Sequence, residues 1–179
     1  VPDDLHLRQV FDADTLQLHQ ERYRFAIRHL RPGRILDMAC GTGYGSSMLV
    51  CDEKMKNSSC VSVDNSPAAI SYASKRYAHD SIEFICEDAM KFDDKLLFDG
   101  IVSLETIEHF KQPELLVSKL YQLLKPGGML IVSAPVTPST DGNPYHLSDF
   151  SPGGFRDLFK AYRLEEKAQL LQAQSYLPY

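Results

Sequence analysis

The 179-residue chain carries 44% hydrophobic and 24% charged residues, the balance of one ordinary globular domain with a full core. A net charge of −5 and a pI near 5.6 disfavour broad binding to a phosphate backbone, which relies on Lys/Arg surfaces. No apolar run is long enough to span a membrane and no secretory pattern is visible, so a cytoplasmic protein is expected. Its four cysteines (Cys40, Cys51, Cys60, Cys86) form no C-x-x-C pair for zinc and are read as reduced, with a Cys51–Cys60 disulfide as the alternative.

In chain order, residues 14–30 read as a helix, with Leu16, His19 or Gln20, Tyr23, Ile27 and Leu30 at three- and four-residue steps and Arg31-Pro32-Gly33 as the stop. A short apolar strand over 34–38 ends beside the acid Asp37 and turns through Gly41, Gly43 and Gly45 into a helix over 44–50. Strand, glycine turn and helix make a crossover that lets backbone approach a nucleotide-like ligand. The acid selects among ligands. A carboxylate at the strand tip repels a pyrophosphate and attracts a ligand with a cationic end. Ser46 also replaces the third glycine of G-x-G-x-x-G.

A second strand over 60–64 ends in Asp64, 21 residues after Gly43, a spacing that suits a carboxylate on two ribose hydroxyls. Ser66 and Pro67 cap and open a helix over 67–78, which leaves Asp64 without a capping task. Strands follow over 82–86, 98–104 and 129–134, with a helix over 113–124 stopped by Lys125-Pro126-Gly127-Gly128. Alternating strands and helices predict a Rossmann-like α/β/α sandwich on a mostly parallel sheet. Asp37, Asp64, Asp88 and Glu105 then fall after four successive strands, on the rim where such sheets bind ligands. A last helix is expected from Ser151-Pro152, burying Phe155, Leu158 and Phe159.

Asp37-Met38-Ala39-Cys40-Gly41-Thr42-Gly43 resembles motif I of class I S-adenosylmethionine (SAM)-dependent methyltransferases, with Ala39 in place of the first glycine. The segment from Leu123 to Ser133 resembles the fourth motif of that family. It is close to the ubiquinone/menaquinone-biosynthesis methyltransferases and covers about residues 14–160. The resemblance implies a sheet of six to seven strands with a C-terminal hairpin. Residues 162–168 would be the sixth strand. No turn signal marks a seventh, so the hairpin is expected to be incomplete. One methyltransferase domain over 1–179 is expected: an N-terminal lid and helix (1–33), a SAM-binding core (34–134), and an acceptor-side loop, helix and last strand (135–179).

The resemblance also implies site residues. Asp37, Ala39, Cys40, Gly41, Thr42 and Gly43 would hold the methionine end, Asp64 and Asn65 the ribose, Asp88 and Ala89 the adenine. Leu104 and Glu105 would sit nearby. The first helix would cover the methionine end, putting His19, Arg22 and Tyr23 in reach of the cofactor, although packing of a surface helix on the sheet is the favoured reading for each residue singly. The implied activity is transfer of the SAM methyl group to an oxygen or nitrogen of a small molecule, with His109 or His146 as base. The alternatives are metal-assisted 2′-O-methylation of RNA 3′ ends, a NAD-dependent oxidoreductase, a non-catalytic SAM-binding module, and an aminopropyltransferase.

Glu105, Glu108, His109 and the distant His146 form a further constellation. E-x-x-E-H with a later His resembles the metal site of 2′-O-methyltransferases acting on RNA 3′ ends, and two carboxylates with two imidazoles suit a divalent ion. The same E-x-x-E-H is common in methyltransferases of this class without a metal, and the acidic surface disfavours RNA. No metal ligand is assigned from sequence. Oligomeric state is left open.

Overall fold

The computed structural model of the protein describes residues 13–136 and 145–172. The elements are α1 (Ala13–His29), β1 (Arg34–Met38), α2 (Tyr44–Cys51), β2 (Ser59–Asp64), α3 (Pro67–Arg76), β3 (Ile82–Cys86), β4 (Phe98–Leu104), α4 (Pro113–Leu123), β5 (Leu124–Ser133) and α5 (Pro152–Asp157). Single 3₁₀ turns occupy Glu53–Met55 and Ile107–His109.

The five strands form one sheet in the order β3-β2-β1-β4-β5, with every pair parallel. The chain moves outward from β1 through β2 to β3, then crosses back to β4 on the other side. The order therefore reverses between β1 and β4, which opens a crevice at their carboxyl ends.

The period of two along the strands divides the core between the sheet faces. Leu36 and Met38 of β1 join Val61, Val63, Ile101, Leu116 and Leu120 on one face. Ile35 joins Tyr23, Ile27, Leu30, Leu49 and Val102 on the other. Each of these large side chains contributes roughly 1.5–3 kcal/mol on burial, which outweighs the modest propensity of so short a helix as α2. In α1 the buried stripe is Tyr23, Ala26 and Ile27, continued by Leu30 just past its end, while Leu16 is exposed.

Three expectations change. The described residues hold five strands, and 162–168 form none. Leu164 packs against the core, but Glu165 to Leu171 are exposed, so this stretch lacks the buried alternation of a strand. The helix from Pro152 leaves Phe155, Leu158 and Phe159 half-buried rather than buried. Finally, Lys125 to Gly128 ends α4 as expected but also enters β5 as an irregularity, where the register moves from Phe98↔Leu124 to Gly100↔Met129. Lys125 Nζ stands 2.9 Å from both carboxylate oxygens of Asp99 and holds this bulge to β4. Ser66, in contrast, caps α3 as predicted, accepting from the Ala69 N–H at 3.2 Å.

The β5 side of the sheet borders a cavity of about 1610 Å³ whose outer wall includes residues 163–172. Gln172 Nε2 reaches back to the Leu18 carbonyl of α1 at 3.0 Å.

Gly45 is the tightest joint between helices. A Cβ there would fall 1.9 Å from the Tyr23 ring. Gly45→Ala is expected to cost about 1–3 kcal/mol by overpacking, read as a lower urea midpoint with an unchanged m-value.

Candidate active site

The crevice is built from strand tips. Asp37, at the end of β1, is 1% exposed. Its Oδ1 accepts from the Tyr23 hydroxyl at 3.1 Å and its Oδ2 from the Ser46 hydroxyl at 2.6 Å. One carboxylate thus ties β1 to both α1 and α2. Burial is the larger effect on its acidity and pushes the carboxyl up to about 6; the hydroxyls of Ser46 and Tyr23 act the other way, and Asp64 adds to the rise. Burial also lifts the Tyr23 hydroxyl well above its usual range, so it remains a donor.

The glycine loop follows. Ala39 has φ 64° and Gly41 φ 55°, both left-handed; Gly43 has φ 80° and opens α2. Ala39 therefore occupies a position that favours glycine, as its place in the motif suggests. Cys40 is buried and its N–H bonds the Val63 carbonyl at 3.0 Å. Burial raises its thiol out of reach of ionisation. All four described cysteines are free, so the Cys51–Cys60 pairing is absent. Thr42 is half-buried on this loop. A Cβ on Gly43 would meet Ala73 at 2.7 Å and Phe84 at 2.8 Å, whereas one on Gly41 would meet nothing within 4 Å. The loop is thus packed on its inner side and open on its outer side.

Asp64 has more structural work than the sequence suggests. Its Oδ2 accepts from the Gly41 N–H at 2.9 Å and its Oδ1 from the Ser66 N–H at 2.8 Å. It holds the glycine loop to the tip of β2. Each carboxylate oxygen has a second lone pair, so two hydroxyls can still be accommodated. Asn65 beside it is exposed. Asp88 is exposed and caps its own turn, accepting from the Met90 N–H at 2.8 Å; Ala89 packs against the core.

At the tip of β4, Leu104 is buried and Glu105 adopts φ 50°. Ser133 on β5 donates its hydroxyl to Glu105 Oε1 at 2.6 Å, and Arg22 pairs with Oε2 at 3.5 Å. Ser133 was not legible in the sequence: it meets Glu105 only because Leu104 pairs with Ser133 in the register. Arg22 and Tyr23 of α1 thus both serve strand-tip acids. His19 lies on the same helix, and burial followed by the charge of Arg22 depresses it to about 4.

Glu105 is held apart from the rest of its constellation. Glu108 is 1% exposed, in the turn Ile107–His109. His109 Nδ1 is 2.9 Å from the Tyr145 carbonyl, and the His109 and His146 rings meet edge to face with centroids 5.0 Å apart. The structure therefore gathers Glu108, His109 and His146, and assigns Glu105 to Arg22 and Ser133. The large β5-side cavity reaches Arg22, Leu104 and Glu105 but is not lined by Asp64 or Asp88.

A glycine loop and strand-tip carboxylates at the reversal point of a parallel sheet define an α/β domain for an adenosyl or nucleotide ligand. The chain belongs to the methyltransferase-domain family, whose match spans residues 36–132, just over half of it. It is 32% identical over 99 residues to a malonyl-[acyl-carrier protein] O-methyltransferase of Acetivibrio thermocellus, covering 55% of this chain and 34% of that protein. It is 30% identical over 131 residues to a ubiquinone biosynthesis O-methyltransferase of Bradyrhizobium sp., covering 71% and 49%. The chain thus spans half or less of the length of these curated relatives. The N-methyltransferase NodS of Bradyrhizobium japonicum shares the fold, with a TM-score of 0.68, 22% identity and coverage of 98% of this chain and 92% of that one. S-adenosylmethionine is the cofactor of this family. The residues present fit it: acids suit its cationic end and hydroxyls, and the loop is open where Gly41 has no neighbour.

Two measurements follow. In the folded protein Asp37 titrates near 6 against 3.8 when unfolded, so its proton is held more tightly in the fold. The stability tied to this group is fully present below about pH 4 and is lost as pH rises to about 6, by a few kcal/mol at most. His19 acts oppositely, its contribution being lost as pH falls from 6.5 towards 4. Asp37→Asn should remove the first component, so that its stability minus that of wild type increases from pH 4 to pH 6 in denaturant titrations. Ala39→Gly relieves a left-handed alanine at the cost of a floppier unfolded chain; a net gain of up to about 1 kcal/mol is expected, seen as a Tm higher by a few degrees.

Proposed function

We propose that the protein transfers the methyl group of S-adenosylmethionine to an oxygen or nitrogen of a small-molecule acceptor. The observation that carries this reading is the set of carboxylates at neighbouring strand ends, Asp37, Asp64 and Glu105, beside the glycine loop. Their negative field opposes the diphosphate of NAD and favours a ligand bearing ammonium and sulfonium groups. The O- and N-methyltransferases among its relatives support it.

S-adenosylmethionine supplies a methyl carbon already activated by its sulfonium. The chain's task is to align and enclose. The loop at 39–43, backed by Asp37, holds the methionine end; Asp64 and Asn65 receive the ribose, and Asp88 with Ala89 the adenine. The acceptor lies beside Leu104, Glu105 and the turn Ile107–His109, under residues 145–150. The Tyr145 carbonyl fixes the proton of His109 on Nδ1, which leaves a lone pair on Nε2 to take the acceptor's proton, with His146 packed against it. The regions 1–33, 34–134 and 135–179 are accordingly lid, cofactor core and acceptor side. Free thiols accord with a reducing cytoplasm, and no helix among the described residues is long and apolar enough to cross a membrane.

Isothermal calorimetry with S-adenosylhomocysteine and with NAD tests the reading. The homocysteine compound should bind and NAD should not. Asp64→Ala should weaken binding at least tenfold, about 1.4 kcal/mol, in a variant whose melting shows it folded. Wild-type affinity in that variant would remove Asp64 from the ribose.

A further inference from the structure

We propose that the buried cluster at the tip of β1 makes cofactor binding proton-linked: the carboxyl of Asp37 gives up a proton to solvent as a sulfonium compound enters the crevice, so the site holds that ligand less firmly in acid. This deepens the methyltransferase reading and rests on it. Asp37 is 1% exposed, and its side-chain partners are neutral hydroxyls, Tyr23 at 3.1 Å from Oδ1 and Ser46 at 2.6 Å from Oδ2. Arg22, one residue before Tyr23 on α1, is paired with Glu105 instead. The acid thus meets hydrogen-bond donors but no counter-ion.

The titratable groups that face Asp37 are Tyr23 from α1, Tyr44 from α2, Cys40 from the glycine loop, and Cys60 and Asp64 from β2; β4 sets Val102 beside it in the register. Burial raises both phenols and both thiols above their usual range, so all four stay neutral. Asp64 adds the one charge among them, and it is of the same sign. Burial, with that neighbour, has already pushed the Asp37 carboxyl up to about 6. A cation brought close therefore decides its state near that pH.

Hydroxyl partners serve either state of the acid. Toward the carboxylate both donate; toward the protonated acid one of them turns its hydrogen away and accepts, so only a hydroxyl hydrogen has to move. A Lys or Arg in their place would hold the group ionised throughout. S-adenosylmethionine carries a sulfonium and an ammonium, and a positive charge in water-poor surroundings favours the ionised carboxyl. The displaced proton passes to the buffer. By linkage, the affinity that depends on the carboxylate is full above about pH 7 and falls by at most about tenfold per pH unit below about 6.

The test is calorimetry of wild type between pH 5 and pH 7 with two probes, S-adenosylmethionine and 5′-methylthioadenosine, which carries the same adenosine without either cation. Each titration is run in two buffers of different protonation heat, which gives the protons released. The ligand's own ammonium and carboxylate titrate outside this range, at about 8 and about 3.5. S-adenosylmethionine should release up to about three quarters of a proton at pH 5.5 and bind up to about tenfold more weakly at pH 5 than at pH 7. Methylthioadenosine should do neither. In Asp37→Asn, shown to be folded by its melting, both effects should vanish. Binding of the sulfonium compound without proton release, equal release with methylthioadenosine, or release that persists in Asp37→Asn would each overturn the linkage. If that variant fails to fold, the two wild-type titrations decide. Binding of neither compound at any pH would sink the methyltransferase reading as well, whereas binding without release removes the linkage alone.

Discussion

The buried carboxylate of Asp37 is the constraint from which the rest follows. A charge at 1% exposure is costly unless donors reach it, and two hydroxyls do, from two different helices. Tyr23 and Ser46 must therefore approach the tip of β1 together. That approach requires Gly45, because any Cβ there would overlap the Tyr23 ring. With α1 and α2 fixed, the loop between β1 and α2 has little freedom. Its left-handed turns at Ala39, Gly41 and Gly43, the bond from Gly41 to Asp64 and the bond from Cys40 to the Val63 carbonyl complete a frame anchored on strand tips.

The frame explains why acids serve two purposes here. Asp64 and Glu105 each accept donors from the protein, through Gly41, Ser66 and Ser133, at the ends of β2 and β4. Such carboxylates are held in place before any ligand arrives, which lowers the ordering cost of binding. Arg22 adds a counter-charge for Glu105 at the edge of the β5-side cavity.

Much of this was readable from residue order. The strand runs, the caps and the punctuating glycines placed all five strands and the acids at their ends, because these depend on local periodicity and turn chemistry. Ala39 could be recognised as a non-glycine in a glycine's place, and its φ of 64° agrees. What sequence could not supply depends on contacts across the sheet. The link from Ser133 to Glu105 exists only through the β4–β5 register. Glu105 turns to Ser133 and Arg22 on a left-handed backbone that no pattern of side chains announces. Family analogy failed for 162–168, where Tyr162 and Leu164 pack on the core but the exposed run from Glu165 breaks the buried alternation that a strand needs.

The loop at 145–150 is attached to the turn at 107–110 mainly through peptide carbonyls: Glu108 receives two N–H groups and Phe110 a hydroxyl. Main-chain attachments survive replacement of the side chains they carry. This half of the rim can accordingly diversify in shape and polarity while the opposite half, pinned by Tyr23, Ser46 and Asp64, stays as it is. A lineage built on such a division would change its chemistry of recognition by swapping a handful of residues, with the strand-tip frame inherited intact.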